Sequence, residues 1–320
     1  MKKTHRNALP IAVLGLLVAG MVLIVPAASA EASSLAEPGI MAQFPISLDG
    51  YSPDISGNII VWYDVIDGSD DVLSYDLSTG VTTPICSGPS KAWDPAIDGN
   101  RVVYRDNPNG VYGIYLYDLQ YKYRVPICTN TAGFPIEPAI DGDIVVWEEE
   151  RNGRSNDIYM YDIATGAERL VCTAPDYQGL ASVSGDRIVW RDDRNGEGDI
   201  YMYTISTDVE TCISNAAGLQ NRPAIDGDRI VWEDTRNGDY DIYLYDLSSG
   251  TETAICTDPG DQKYPDISGD KIVWQASGGT YQHDLSTGTT TLIVNDGYDP
   301  SIDGDLVVCE KNRGIYFYAP

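Results

Sequence analysis

From residue 42 onward, hydrophobic and polar positions alternate in runs of about six residues, broken by Gly, Asp and Asn. That two-residue period marks half-buried strands, and no stretch of this region carries the 3.6-residue period of a helix. The runs also recur. "PDISG" at 53–57 returns as "PAIDG" at 95, 138 and 223, as "ASVSG" at 181, as "PDISG" at 265 and as "PSIDG" at 300. Each is followed by an apolar triplet ending in a large residue, such as "IVW" at 60–62, 188–190, 230–232 and 272–274. An alternating tyrosine strand comes next ("IYLYDL" at 114–119 and 242–247, "IYMYDI" at 158–163), then a Ser/Thr-Gly turn and a last strand such as "TETAICT" at 251–257.

One repeat therefore reads as four short strands, A to D, and four strands in about 40–45 residues is the signature of a propeller blade. A lone blade would expose both sheet faces, so the blades must stack radially, with the Trp ending strand B wedged between neighbours. Six complete units begin near 53, 95, 138, 181, 223 and 265, and a seventh, from 300, stops after strand C. Its missing outer strand is expected from "AQFPISLDGYSP" at 42–53, which aligns with a strand D and its exit turn. The expected fold is all-β: a seven-bladed β-propeller of four-stranded antiparallel blades, with an N-terminal strand joining the C-terminal blade. Such closure removes free sheet edges. The sixth unit, where "QASGGTYQHDL" replaces the long hairpin, is the main irregularity.

Residues 1–30 stand apart. Lys2, Lys3 and Arg6 precede the apolar run "IAVLGLLVAGMVLIVPA" at 11–27, and "ASA" at 28–30 offers small residues for cleavage. This is the pattern of a secretory signal peptide, with a retained anchor as the rival reading. Residues 31–41 are then a short linker and 42–320 the propeller. Either reading of the leader predicts an exported protein, secreted or at the cell surface. The chain carries a formal charge of −27, which disfavours nucleic acid and anionic lipid as partners. No membrane contact is expected beyond the N-terminal segment. Tyrosine outnumbers phenylalanine 22 to 3, which suits rings packed at one end and wet at the other.

The segment "EDTRNGDYD" at 233–241 resembles a carboxylate loop for a metal ion. Its Asn-Gly lies between strands B and C, where a type I′ turn with positive φ at both central residues accounts for it without an ion. The carboxylate spacing also departs from the EF-hand pattern. No metal and no cofactor are expected. Cys86, Cys128, Cys172, Cys212 and Cys256 read as equivalent strand-D positions in successive blades, too far apart to bridge, and Cys309 replaces the strand-B Trp. They are read as small buried hydrophobes. His283 holds a strand-C position usually occupied by Tyr. GxSxG, HExxH and phosphate-binding glycine motifs are absent. A carboxylate pair remains open as acid and base, although the composition singles out none.

The unit "IVWEDTRNGDYDIYLYDLSSG" at 230–250 resembles the TolB-type β-propeller repeat, most closely the repeats of secreted and surface proteins of methanogenic archaea. The resemblance spans nearly all of 42–320. It implies the fold and leaves activity open, because that fold hosts periplasmic adaptors, peptidase gating domains, lyases and surface proteins alike. TolB itself has an extra N-terminal domain and six blades, so its partner interactions are not carried over.

Positions that repeat in every blade serve packing, and the variable D-to-A connection before each "PAIDG" is the candidate site. It contributes Tyr51, Trp93, Glu137, Gln178, Asn221, Arg222, Lys263, Tyr264, Tyr298 and Asp299 to the mouth of the central channel. Aromatics mixed with amides and charges suit a protein or polysaccharide partner at the cell surface. Two functions follow. One is a noncatalytic binding or scaffold module; the other is a polysaccharide lyase or hydrolase using carboxylates and Tyr at the channel.

Overall fold

The computed structural model describes residues 43–319 apart from 130–132, 152 and 154. The expected signal peptide and linker lie outside the described residues. Seven four-stranded antiparallel sheets follow one another along the chain. Blades 1 to 6 span 50–86, 92–128, 136–172, 178–214, 220–256 and 263–295, each with strands A to D in sequence order. Blade 7 takes strands A to C from Tyr298–Asp303, Leu306–Lys311 and Gly314–Tyr318. Its outer strand is Gln43–Ser47, paired antiparallel to Gly314–Tyr318. The ring is closed as the incomplete seventh repeat demanded.

Seven hydrophobic clusters hold the wheel, each lying between consecutive blades. Val189, Ile200 and Met202 of blade 4 pack on Ile230 and Trp232 of blade 5. Val231, Ile242 and Leu244 of blade 5 pack on Ile272 and Trp274 of blade 6. The circuit closes where Val308 and Ile315 of blade 7 meet Ile60 and Trp62 of blade 1. Five framework Trp, with Tyr104 in blade 2 and Cys309 in blade 7, are at most 1% exposed. Each such residue is the wedge contributed by the later blade.

A second circuit runs round the far end of the channel, where the strands A finish, and there the last residue of strand A accepts a hydrogen bond from the turn glycine of the next blade. Gly99 N–H donates to Ser56, Gly142 to Asp98 (2.8 Å) and Gly185 to Asp141 (2.6 Å). Gly227 donates to Ser184, Gly269 to Asp226 (2.6 Å) and Gly304 to Ser268. Gly57 N–H to Asp303 (2.5 Å) completes the ring. The recurrent Ser/Asp-Gly pair is thus an interblade clasp, and the glycine supplies the positive φ its turn needs.

The hairpin carboxylates are scaffold, by a mechanism richer than a turn. Glu149, Asp192 and Asp234, wholly buried at the end of strand B, accept the indole N–H of their own blade's Trp at 2.9–3.0 Å. They also accept the guanidinium of the hairpin residues Arg151, Arg194 and Arg236 at 2.6–2.7 Å. Each guanidinium reaches on to strand D (Glu168, Glu210, Glu252) and lies over a strand-C Tyr ring at 3.9–4.2 Å. Burial pushes Asp192 up, but the bonds from Arg194 and Trp190 outweigh it and hold its pKa below the usual value. Blade 2 has no hairpin Arg, and Arg124 on strand D reaches Asp106 at 2.6 Å in its place.

Two expectations need correction. At Asn195-Gly196 and Asn237-Gly238 only the glycine has positive φ, and its N–H bonds three residues back, to Asp193 and Thr235. These are type I turns followed by a left-handed Gly, since the Asn side chain is used to cap Asp199 or Asp241. Positive φ at both central residues occurs at Asp67-Gly68 and at Asn312-Arg313. Cys212 is also out of phase: it pairs with Tyr201 and is exposed, while Ser214 takes the slot that Cys172 and Cys256 fill. Among the described residues, no disulfide joins two of the cysteines.

Candidate functional site

Each strand A opens with a β-bulge. The register slips between Tyr51 and Asp54, Trp93 and Ala96, Ile136 and Ala139, Gly179 and Ser182, and correspondingly in the other three blades. A bulge places an extra residue in the strand and re-aims its side chain. Here that residue is Ser52, Asp94, Glu137, Leu180, Arg222, Tyr264 or Asp299, and all seven have φ between 47° and 56°. Left-handed φ at seven non-glycine residues is a costly conformation, repeated because the bulge is part of the blade. All seven line one cavity of about 350 Å³ at the end of the channel where the strands A begin.

The preceding blade supports the bulge. Ser52 N–H donates to Glu310 (2.8 Å), Tyr264 N–H to Glu233 (2.7 Å) and Asp299 N–H to Gln275 (3.4 Å). Desolvation raises the pKa of Glu233, and raises Glu310 to about 7. At the mouth, burial raises Asp94, Glu137 and Asp299; Arg105 opposes the shift at Asp94, and Arg222 opposes it at Glu137 and Asp299. Arg222 is therefore the central cation of the mouth, with its guanidinium 4.5 Å over the Tyr264 ring. Deeper in the wall, Ser301 Oγ donates to Asp54 at 2.7 Å and also neighbours Asp266. Asp54 accepts Ile97 N–H, and Asp266 accepts Ile302 N–H, both at 2.8 Å. Burial raises both acids, Asp266 to about 7.

Of the residues expected at the mouth, the structure brings together Glu137, Arg222, Tyr264 and Asp299. The others sit one or two positions earlier and face elsewhere. Tyr51 stacks on Tyr63 (5.4 Å), and Tyr298 lies beside Glu310. Asn221 bridges Arg191 and Glu233, and Lys263 pairs with Asp261 at 2.7 Å. Gln178 is fully buried and donates to the carbonyls of Pro175 and Asp176, so it is a packing residue. Trp93 joins an aromatic group outside the cavity. Ser52, Asp94 and Leu180 were missed. The signal was the residue immediately before the repeat's Pro, which a simple strand alternation would have turned away from the channel. Among the described residues, no group of three His, Cys, Asp or Glu is arranged to hold a metal ion.

No family model matches the chain, and no curated protein matches it in sequence. Solved structures do resemble it. Oligogalacturonate lyase from Vibrio parahaemolyticus superposes with a TM-score of 0.67 at 11% identity, over 87% of this chain and 93% of that one. The β-propeller domain of the Trilobed protease from Pyrococcus furiosus gives 0.66 at 14% identity, over 86% and 94%. That domain is described as having an open velcro topology, whereas the ring here is closed through Gln43–Ser47. TolB from Acinetobacter baumannii gives 0.53 at 16% identity, over 84% and 78%. At these identities the likeness is one of fold: a TolB-like β-propeller.

Proposed function

We propose that the chain is a noncatalytic recognition module that engages a protein or polysaccharide through the channel-mouth face. One observation carries this reading: seven like bulges present side chains of five different chemistries around one cavity, a hydroxyl, three carboxylates, an aliphatic group, a guanidinium and a phenol. A scaffold that repeats while its inward residues diverge is what a binding site on a rigid frame requires. The proposal includes export and display at the cell surface, as in the secreted archaeal proteins whose repeats it resembles.

A second reading, a polysaccharide lyase or hydrolase, has one specific observation in its favour. Asp54 and Asp266 flank Ser301 in the channel wall, and Asp266, raised to about 7, could exchange a proton near neutrality. Neighbours of known fold include both a lyase and TolB, which is consistent with either. Screening the propeller against glycan and protein panels with product analysis separates the two. Binding without turnover supports recognition. Turnover that is lost in Asp54→Asn and Asp266→Asn transfers the site to the wall carboxylates.

A further inference from the structure

The face that carries the mouth also carries the B–C hairpins, and its surface chemistry is lopsided. Blades 1 and 2 expose Val65 (51%), Ile66 (37%) and Val111 (37%), and the loop leading into blade 3 exposes Phe134 (50%). Among the described residues, the other exposed large hydrophobics, Leu48 apart, lie on outer strands or the turn before one. Beside these sits an aromatic group with no counterpart among the described residues of blades 3 to 7. Trp93 stacks on Tyr112 at 6.0 Å and 19°, and Tyr112 meets Phe134 at 4.2 Å. A cleft of about 510 Å³ adjoins it, lined by Ile66, Asp67, Ser69, Asp71, Pro89 and Lys91.

Two cations border the rings. Arg105 lies 4.7 Å over Trp93 and pairs with Asp94 at 3.3 Å; Lys91 lies 5.7 Å from the same ring and pairs with Asp70 at 3.7 Å. Each cation is balanced by its own carboxylate. A ligand bearing uronate, sulfate or phosphate would meet no surplus positive charge here, against a chain of net charge −27. A neutral ligand with many hydroxyls fits, because those hydroxyls can donate to Asp70 and Asp94 and accept from Lys91 and Arg105 while a pyranose C–H face lies on the rings.

We propose that the Trp93–Tyr112–Phe134 platform and its cleft bind an uncharged polysaccharide, with stacked sugar rings as the affinity anchor. This rests on the recognition reading above and moves the anchor from the cavity to the rim of blades 1 and 2. Asp94 touches both, lining the mouth while pairing with Arg105 under the platform, so an extended chain can run from one to the other.

The test uses the whole chain and exploits Trp93, the one Trp outside the buried framework set. Neutral oligosaccharides (β-glucan, mannan and xylan series), acidic oligogalacturonate and amino-sugar oligomers are titrated while tryptophan emission and acrylamide quenching are followed. The expected result is saturable binding of a neutral series that protects Trp93 from quencher. Affinity falls at least tenfold in Tyr112→Ala and in Trp93→Ala, the latter read by calorimetry, and holds within twofold in Arg169→Ala on the outer strand of blade 3. Circular dichroism melts of each variant separate lost binding from lost folding. Binding that survives Trp93→Ala and Tyr112→Ala but fails in Arg222→Ala overturns the platform and leaves the recognition reading intact. Preference for the acidic or amino-sugar series overturns the assignment of ligand class. Failure to bind any glycan overturns the inference, and capture of a protein partner would then uphold the recognition reading alone.

Discussion

The two ends of the central channel are built from the same seven strands, about four residues apart, and they obey opposite rules. At the far end every blade ends strand A in Ser or Asp, and every one of those side chains accepts the next blade's glycine N–H. At the mouth every blade holds the same left-handed backbone, yet the side chains are Ser52, Asp94, Glu137, Leu180, Arg222, Tyr264 and Asp299. Uniform side chains at one end and uniform backbone at the other separate what closes the wheel from what the wheel presents. The contrast also explains why burial and charge mislead when read alone. The wholly buried Asp192 and Asp234 are bolts, whereas the carboxylates of the mouth, with their raised pKa values, have few fixed partners.

The largest effect should come from opening the wheel itself. Deleting residues 43–47 strips blade 7 of its outer strand. At about 1 kcal/mol per lost strand hydrogen bond the cost is on the order of 5 kcal/mol, or ~10 °C in melting temperature. A melt unchanged within error would show that closure contributes nothing. Next comes the bolt: Arg194→Met leaves the buried Asp192 without its main partner, and should cost about 3 kcal/mol. Arg194→Met with Asp192→Leu should recover most of that loss, because it removes the stranded charge. Calorimetric melts of single and double variants check both. A smaller loss, about 1 kcal/mol, is expected from Asp226→Ala at the far end, where one interblade hydrogen bond is removed.

A pH dependence is expected as well. Burial raises Glu148, Asp266 and Glu310 to about 7, so the folded state holds protons there that the unfolded chain has already released. Their stabilising protonation is complete below about pH 4 and is lost as pH rises through 7, so melting temperature should climb on acidification from pH 8 to 5. His283, whose pKa burial lowers, works in the opposite sense and only below its ordinary value of 6.5. Asp266→Asn should flatten the slope between pH 5 and 8; an unchanged slope would remove Asp266 from the account.

Much of this was legible because repetition makes packing visible. The Trp wedges, the blade count and the borrowed strand follow from phase alone, since each residue has six counterparts against which to test its role. The mouth was less legible because a bulge breaks the two-residue alternation from which side-chain direction is inferred. Reading through it, Trp93 and Lys263 look inward and Asp94 does not; the structure reverses all three. Blade 4 adds a second difficulty: Ala181 stands where six blades have Pro, and the expected mouth residue Gln178 lies two positions before Leu180, which lines the cavity. The Arg bolts were hidden for another reason. Their partners lie on two different strands, and blade 2 supplies its Arg from strand D, so no single spacing encodes the contact.

On this contrast the far end holds the blades together and the side chains of the mouth do not. The most direct test of this division is a pair of thermal unfolding curves. One variant carries Glu137→Ser, Arg222→Ser and Asp299→Ser, and the other Asp98→Ala, Asp141→Ala and Asp226→Ala. Three changes at each end equalise the perturbation. The mouth variant should melt within ~2 °C of the parent, and the far-end variant should lose about 3 kcal/mol, or ~6 °C. A mouth variant that melts as low as the far-end variant, or a far-end variant that melts like the parent, would overturn this division.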